Sequence, residues 1–231
     1  MKEPLLKKMA DRLVKPLLTR YLQKERRYRY KGFDLVVLPG VFHPAFFFST
    51  KYLFDFIDRQ NLEGHSCLEV GSGSGLISLL MATKAASVTA IDISSTAVEN
   101  IEINFKRNEQ KISSGYRVLK SDLFEKLSEY TFDTIVINPP YFFNAVNSES
   151  QYAWNCGPEG EYFVRLFKQL GSHVKPGGRL YMILADNCDI RRISDLAGCE
   201  GWTLRELERR KIWWETNFIY AIEPGTSVKI G

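Results

Sequence analysis

From about residue 60 onward the chain alternates short apolar runs with amphipathic stretches, and that rhythm leaves few folds open. CLEV (67–70), VTAID (88–92), YRVLK (116–120), TIVIN (134–138) and RLYMIL (179–184) read as strands. Between them, GLISLLMATKAA, SSTAVENIEINFKRN and GEYFVRLFKQLGSHV read as helices. Strand and helix in alternation predict an α/β fold built on a doubly wound, mostly parallel sheet. The C-terminal part changes rhythm. WTLRELERRKI and ETNFIYAIEP are strand-like runs separated only by WWE, which predicts a terminal antiparallel hairpin. KPGG (175–178) reads as a turn that closes a helix before RLYMIL. With 231 residues, 45% of them hydrophobic, the chain can bury one sizeable core.

No apolar run approaches the roughly 18 residues of a membrane helix. The first residues, MKEPLLKKMADRLVKPLL, break their apolar positions with charges and lack the segment of a signal peptide. Cys67, Cys156, Cys188 and Cys199 form no CxxC pair and no cluster with the three histidines, so no metal site or disulfide framework is expected. Reduced thiols fit a cytoplasmic protein. The net charge of +4 is unevenly spread, with eleven Lys/Arg against three Asp/Glu in residues 1–31. Residues 1–37 are expected to form a basic helical extension ahead of a domain spanning 38–231. TRYLQKERRYRYKG (19–32) interleaves tyrosines with cations, a pattern suited to RNA phosphates and bases. It also suits a solvated helix whose Leu and Tyr face packs on the domain.

CLEVGSGSGLISLL (67–80) is a strand, a glycine-rich turn and a helix. Gly71, Gly73 and Gly75 let a backbone approach a ligand closely at a helix N-terminus. Alone they fit a tight strand–helix turn, and GxGxG is not the GxGxxG of a dinucleotide fold. Glu69 would repel a pyrophosphate but can accept from an amine. Asp92, ending the next strand, stands where a ribose diol is bound. Asp122, in SDLF, stands where an adenine amino group can be accepted. An amine, a ribose and an adenine without phosphate describe S-adenosylmethionine. EVGSGSG, AIDIS and SDLF thereby resemble successive motifs of the class I S-adenosylmethionine-dependent methyltransferases. That resemblance implies a Rossmann-like, seven-stranded, mostly parallel sheet ending in an antiparallel hairpin. It also implies cofactor contacts from Glu69, Gly71, Ser72, Gly73, Gly75, Asp92, Ile93, Asp122, Leu123 and Asn138. An NAD-dependent dehydrogenase is the rival for this half of the chain, and the glycine spacing disfavours it.

FDTIVINPPYFF (132–143) ends a core strand in an asparagine, two prolines and a tyrosine. An amide or exocyclic amine is planar and attacks poorly, so its N–H groups need acceptors that aim the lone pair. The Asn138 side-chain carbonyl is one acceptor, and the Pro139 carbonyl is another, because Pro140 forces Pro139 extended. Tyr141 can stack on a flat amide or base. NPPY resembles the signature of amino-nitrogen methyltransferases, namely the HemK/PrmC-like glutamine enzymes and the RNA N-methyltransferases of the methyltransferase small domain family. LPGVFHPAFFFSTKYLFDFI (38–57) is similar to the segment leading into that family's domain, and AWNCGPEGEYFVRLFKQL (153–170) to a WxxGxxG stretch. Trp154 lines the target pocket or packs the core. His43, Trp213 and Trp214 read as structural, and Cys156, which has no His or Asp partner arrangement, as incidental.

The resemblance implies N-methyl transfer to a planar NH2 nitrogen of a macromolecule, with Asn138, Pro139, Pro140 and Tyr141 as catalytic residues. A protein glutamine of the release-factor type is the leading acceptor, although the N-terminal part is shorter than the docking domain usual in such enzymes. An adenine or guanine in rRNA or tRNA, contacted through residues 19–32, is the alternative. A SAM-binding module without turnover is the non-enzymatic rival, and an intact NPPY disfavours it.

Overall fold

The computed structural model describes residues 23–46, 48–146, 148–212 and 214–225. It opens on an antiparallel hairpin, β1 (Arg26–Tyr30) and β2 (Phe33–Val37), followed by helix α1 (Phe48–Asp58). Strands and helices then alternate as β3 (Ser66–Val70), α2 (Leu76–Ala82), β4 (Ser87–Asp92), α3 (Ser95–Arg107) and β5 (Gly115–Lys120). After β6 (Phe132–Ile137) come α4 (Glu161–Leu170), β7 (Val174–Ala185) and α5 (Ile190–Cys199). The antiparallel pair β8 (Trp202–Ile212) and β9 (Glu215–Pro224) closes the described chain.

The expected seven-stranded sheet is present, in the order β5-β4-β3-β6-β7-β9-β8. Strands β3 to β7 are parallel, and β9 inserts antiparallel between β7 and β8. Leu68, Val70, Ile135, Val136 and Ile137 are all buried, the near-continuous apolar reading of parallel strands covered on both faces. On one face α1, α2 and α3 close over Cys67, Val88, Ala90 and Val136. On the other, α4 and α5 close over Leu68, Ile135, Ile137 and Met182. From β3 the chain moves outward through β4 to β5, and β6 then returns to the other flank of β3. The strand order therefore reverses between β3 and β6, where doubly wound sheets bind ligands beyond the strand ends.

Three expectations are corrected. Residues 26–37 are a β-hairpin and not part of a helical extension. RRYRY alternates at period two, turning Tyr28 and Tyr30 toward the core and Arg27 and Arg29 outward. Lys31 and Gly32, at φ 43° and 87°, supply the two left-handed residues that a tight hairpin turn needs. The basic residues 1–22 of the expected helix lie outside the described residues. KPGG lies within β7 as an irregularity: Phe132 pairs Val174 and Thr134 pairs Arg179, so the residues between loop out of the ladder. Trp214 sits in the β8–β9 turn and is 74% exposed, rather than starting the last strand as a buried packing residue. Trp213 and Phe47 lie outside the described residues.

The hairpin is joined to the domain by asparagines that the sequence reading did not single out. Asn100 and Asn104 on one face of α3 and Asn108 at its C-terminal cap recur every fourth residue, and all three are fully buried. Asn104 accepts from the Val36 N–H (2.7 Å) and donates to the Val36 carbonyl (2.8 Å). Asn100 accepts from the Leu38 N–H (2.6 Å), and Asn108 from the Asp34 N–H (3.0 Å). The free edge of β2 is thus paired by a column of side-chain amides standing in for a strand. Asn104 also donates to the Ser74 carbonyl (2.9 Å), so the same column holds the glycine loop.

Candidate active site

The loop after β3 takes the left-handed conformation at Gly71, Gly73 and Gly75, at φ 72°, 51° and 77°, which residues with a Cβ adopt at a cost. The N–H groups of Gly71 and Ser72 both donate to the Ile91 carbonyl (2.9 and 3.0 Å), tying the loop to β4. Asp92, at the end of β4, accepts from the Gly73 N–H (2.9 Å) and the Ser94 N–H (2.9 Å). Its carboxylate is thereby fixed in the crevice next to Ile93. Gly75 does not line the crevice. It precedes α2, and a Cβ there would come 3.2 Å from Ile101, so its role is close helix packing.

Glu69 is 3% exposed and accepts from the Ser78 N–H (2.8 Å) and the Ser78 hydroxyl through Oε2. Burial pushes its carboxyl up to about 8, with the Ser78 bonds opposing. One of its oxygens braces the first turns of α2, and the residue still borders the crevice. Across the crevice, Asp122 pairs with Arg165 of α4 (2.8 Å). Leu123 is held left-handed at φ 48° while buried, and the Ser121 hydroxyl donates to its carbonyl (2.8 Å). A buried leucine in that conformation is strained, and such strain concentrates at ligand-binding walls.

The segment after β6 faces these groups. Asn138 directs Nδ2 at the Thr50 hydroxyl of α1 (3.5 Å). The Asn138 side-chain carbonyl oxygen takes no hydrogen bond from the described residues, so it is the acceptor left over. Gly71 lies against the same turn, a Cβ there being 3.8 Å from the Asn138 backbone carbonyl. Pro139 is buried, and Tyr141 is half-buried and edge-on to Phe142 at 4.9 Å between centroids. Phe142 is paired in turn with the WxxGxxG-like stretch: its N–H donates to the Trp154 carbonyl and its carbonyl accepts from the Cys156 N–H, both at 2.9 Å. A short ladder thus holds the NPPY turn in place from behind.

Together these elements enclose a cavity of about 370 Å³. All the residues predicted for the cofactor and the reaction border it except Gly75. Phe42 and Trp154, 4.9 Å apart between ring centroids, form an aromatic wall that also includes Tyr152, so Trp154 belongs to the pocket. Among the described lining residues Arg165 is the only cation, and it is engaged by Asp122, whereas Asp92, Asp122 and Glu161 are acidic and Glu69 is a carboxyl that burial favours in its neutral form. Such a lining is suited to a ligand carrying positive charge and is a poor one for a pyrophosphate. A glycine-cradled crevice bordered by Glu69, Asp92 and Asp122 fits S-adenosylmethionine. Thr50, Arg165 and Tyr162 were not foreseen, because only the fold brings α1 and α4 to the crevice.

His43 is held as a structural residue, and Cys156, which borders the cavity, is not set up as a nucleophile. His43 is 2% exposed, accepts from the Ala45 N–H through Nδ1 (3.1 Å) and packs on Tyr28, and burial lowers its pKa. Cys156 is buried and its Sγ lies 3.3 Å from the Phe142 carbonyl; burial pushes the thiol up to about 11, away from a reactive thiolate. Among the described residues no helix is long and apolar enough to cross a membrane, and no cluster of metal-ligating side chains occurs.

A sheet of this order, with a glycine loop and two acids at its switch point, defines a class I, S-adenosylmethionine-dependent methyltransferase fold. The family model named Methyltransferase small domain matches residues 32–199, and the chain belongs to that family. A Methanocaldococcus jannaschii protein provisionally named protein N5-glutamine methyltransferase is 34% identical over 154 residues, covering 64% of this chain and 74% of its own. The release factor glutamine methyltransferase of Streptococcus pneumoniae is 33% identical over 146 residues, 58% of this chain and 50% of its own. A tRNA (adenine-N6)-methyltransferase of Shewanella sediminis is 32% identical over 135 residues, 55% of this chain and 52% of its own. The chain thus spans about half the length of the latter two relatives. Among solved structures, a T. thermophilus 16S rRNA N2 methyltransferase in complex with AdoMet and guanosine superposes with TM-score 0.59 at 21% identity, over 85% of this chain and 50% of that one.

Proposed function

We propose that the protein methylates a planar NH2 nitrogen of a macromolecule, with a protein glutamine as the acceptor. The observation that carries this reading is the placement of Asn138. Its side-chain carbonyl oxygen takes no hydrogen bond from the described residues, and the residue lines the cavity at the switch point, next to the glycine loop. When bound, S-adenosylmethionine supplies a methyl group activated by a sulfonium. Glu69, Asp92 and Asp122, with the backbone of the glycine loop, would hold it. Asn138 Oδ1 accepts one N–H of the acceptor amide, and the Pro139 carbonyl, which takes no hydrogen bond from the described residues, accepts the other. The lone pair of the nitrogen is then turned toward the cavity. Pro139 and Pro140 keep that pair of acceptors rigid, and orientation of this kind can supply about 7–11 kcal/mol of a barrier. Tyr141 stacks on the amide plane. No strong base is required, since the nitrogen sheds its proton after attack. Two of the similar proteins carry names of glutamine methyltransferases, which supports this acceptor.

A second reading is favoured by a specific feature, the outward Arg27 and Arg29 of β1, beside Arg26, with an RNA base as acceptor. The experiment that separates the two offers labelled S-adenosylmethionine to an undermethylated lysate and then treats portions with protease or RNase. Protease-sensitive label, recovered as N5-methylglutamine, is expected. RNase-sensitive label would refute the glutamine acceptor, and no transfer to any macromolecule would leave a module that binds without turnover. Neutralising Arg26, Arg27 and Arg29 weakens RNA binding and flattens its salt dependence only under the second reading.

A further inference from the structure

The Tyr162 hydroxyl is a buried polar group without a hydrogen-bond partner among the described residues. Tyr162 lies in the first turn of α4, and its N–H donates to the Cys156 carbonyl (3.0 Å), which fixes the backbone beneath the ring. The ring stands perpendicular to Phe163, centroids 5.3 Å apart, and the residue borders the same cavity as Asp92 and Asp122. Burial holds its pKa well above the ordinary phenol range, and the charges of Asp92, Asp122 and Cys156 add to the rise. The group therefore stays a neutral O–H donor at any working pH. A buried hydroxyl left unmade is costly, and native proteins rarely retain one without a use.

We infer that the Tyr162 hydroxyl is a further cofactor-binding group, which hydrogen-bonds the adenosine portion of S-adenosylmethionine between the groups held by Asp92 and Asp122. Asp122 has a second neighbour on the same helix, Arg165, one turn further along α4. Helix α4 thus presents a neutral donor and a cation to the adenosine side of the crevice, while the methionine side is bordered by Glu69 and the glycine loop. The inference rests on the cofactor assignment and extends it to a helix that carries none of the motifs found in the sequence.

The test is Tyr162→Phe, titrated calorimetrically with S-adenosylmethionine, S-adenosylhomocysteine and 5′-methylthioadenosine, together with the melting temperature of the cofactor-free protein. Loss of one neutral hydrogen bond corresponds to a rise in Kd of about three- to tenfold. That rise is expected for all three compounds, because they share the adenosine. The cofactor-free variant should melt at the same temperature as the wild type or higher, since a hydroxyl without a partner has been removed. Unchanged affinities overturn the inference. So does a lowered melting temperature without cofactor, which places the partner inside the protein. Weakened binding of the first two compounds alone also overturns it, by moving the contact to the amino-acid half. Failure of the wild-type protein to bind any of the three overturns the cofactor assignment itself.

Discussion

Replacing Asn104 by alanine removes three buried hydrogen bonds at once: the Val36 N–H to Oδ1, and Nδ2 to the carbonyls of Val36 and Ser74. The Val36 carbonyl keeps a donor in Asn100 (2.8 Å), so the groups left without a partner are the Val36 N–H and the Ser74 carbonyl. At about 1–3 kcal/mol for each buried orphan, the expected loss is about 2–6 kcal/mol. That is a large share of the roughly 5–15 kcal/mol of a typical domain. For a chain of this length it corresponds to a fall in Tm of roughly 5–20 °C. Chemical denaturation gives the free energy, and hydrogen exchange gives its location. The Val36 amide should lose most of its protection while amides of β3 and β6 lose only the global amount. Asn100→Ala orphans the Leu38 N–H alone and should cost less. A loss below about 1 kcal/mol for Asn104→Ala, or unchanged exchange at Val36, would refute the view that these amides act as the missing strand beside β2.

Three further outcomes follow from the site. Glu69 is protonated in the folded protein up to about pH 8 but ionises near the ordinary carboxylate range when unfolded, so stability without cofactor should fall as pH rises between those limits. Glu69→Gln should flatten that decline in a series of melts from pH 5 to 8, and an identical slope in both proteins would show that its carboxyl is not held protonated. Gly75→Ala meets both a left-handed backbone and Ile101, and should cost about 1–2 kcal/mol of stability with little change in cofactor affinity per folded molecule. Gly71→Ala carries the same backbone strain on the crevice wall, and calorimetry should show weaker cofactor binding in addition.

The sheet and its ligand crevice were legible because parallel strands covered on both faces read as short continuous apolar runs. The glycine loop, Asp92, Asp122 and NPPY were legible because each lies at the end of such a run, and the ends of parallel strands are where these folds bind ligands. What escaped depends on packing at a distance in sequence. RRYRY carried its period-two alternation in plain view, yet its charge led to a helical reading, and the Lys31–Gly32 turn was passed over. Helix α5 was missed because IRRISDLAGC buries only Ile193 and Ala197, too thin a stripe to register. Asn100, Asn104 and Asn108 carry no apolar signal, and only the approach of β2 gives them buried partners. Gly75 carried the same motif signal as Gly71 and Gly73, but its neighbour is Ile101 rather than the crevice.

The central claim, that Asn138 and the Pro139 carbonyl orient the nitrogen that is methylated, is tested most directly by Asn138→Ala, with the cofactor Kd and the methyl-transfer rate measured on the same preparation. Loss of one of two orienting acceptors should reduce turnover by about a thousandfold or more, while S-adenosylmethionine affinity changes by no more than about threefold. Near wild-type turnover in that variant would contradict the account, whatever the acceptor proves to be.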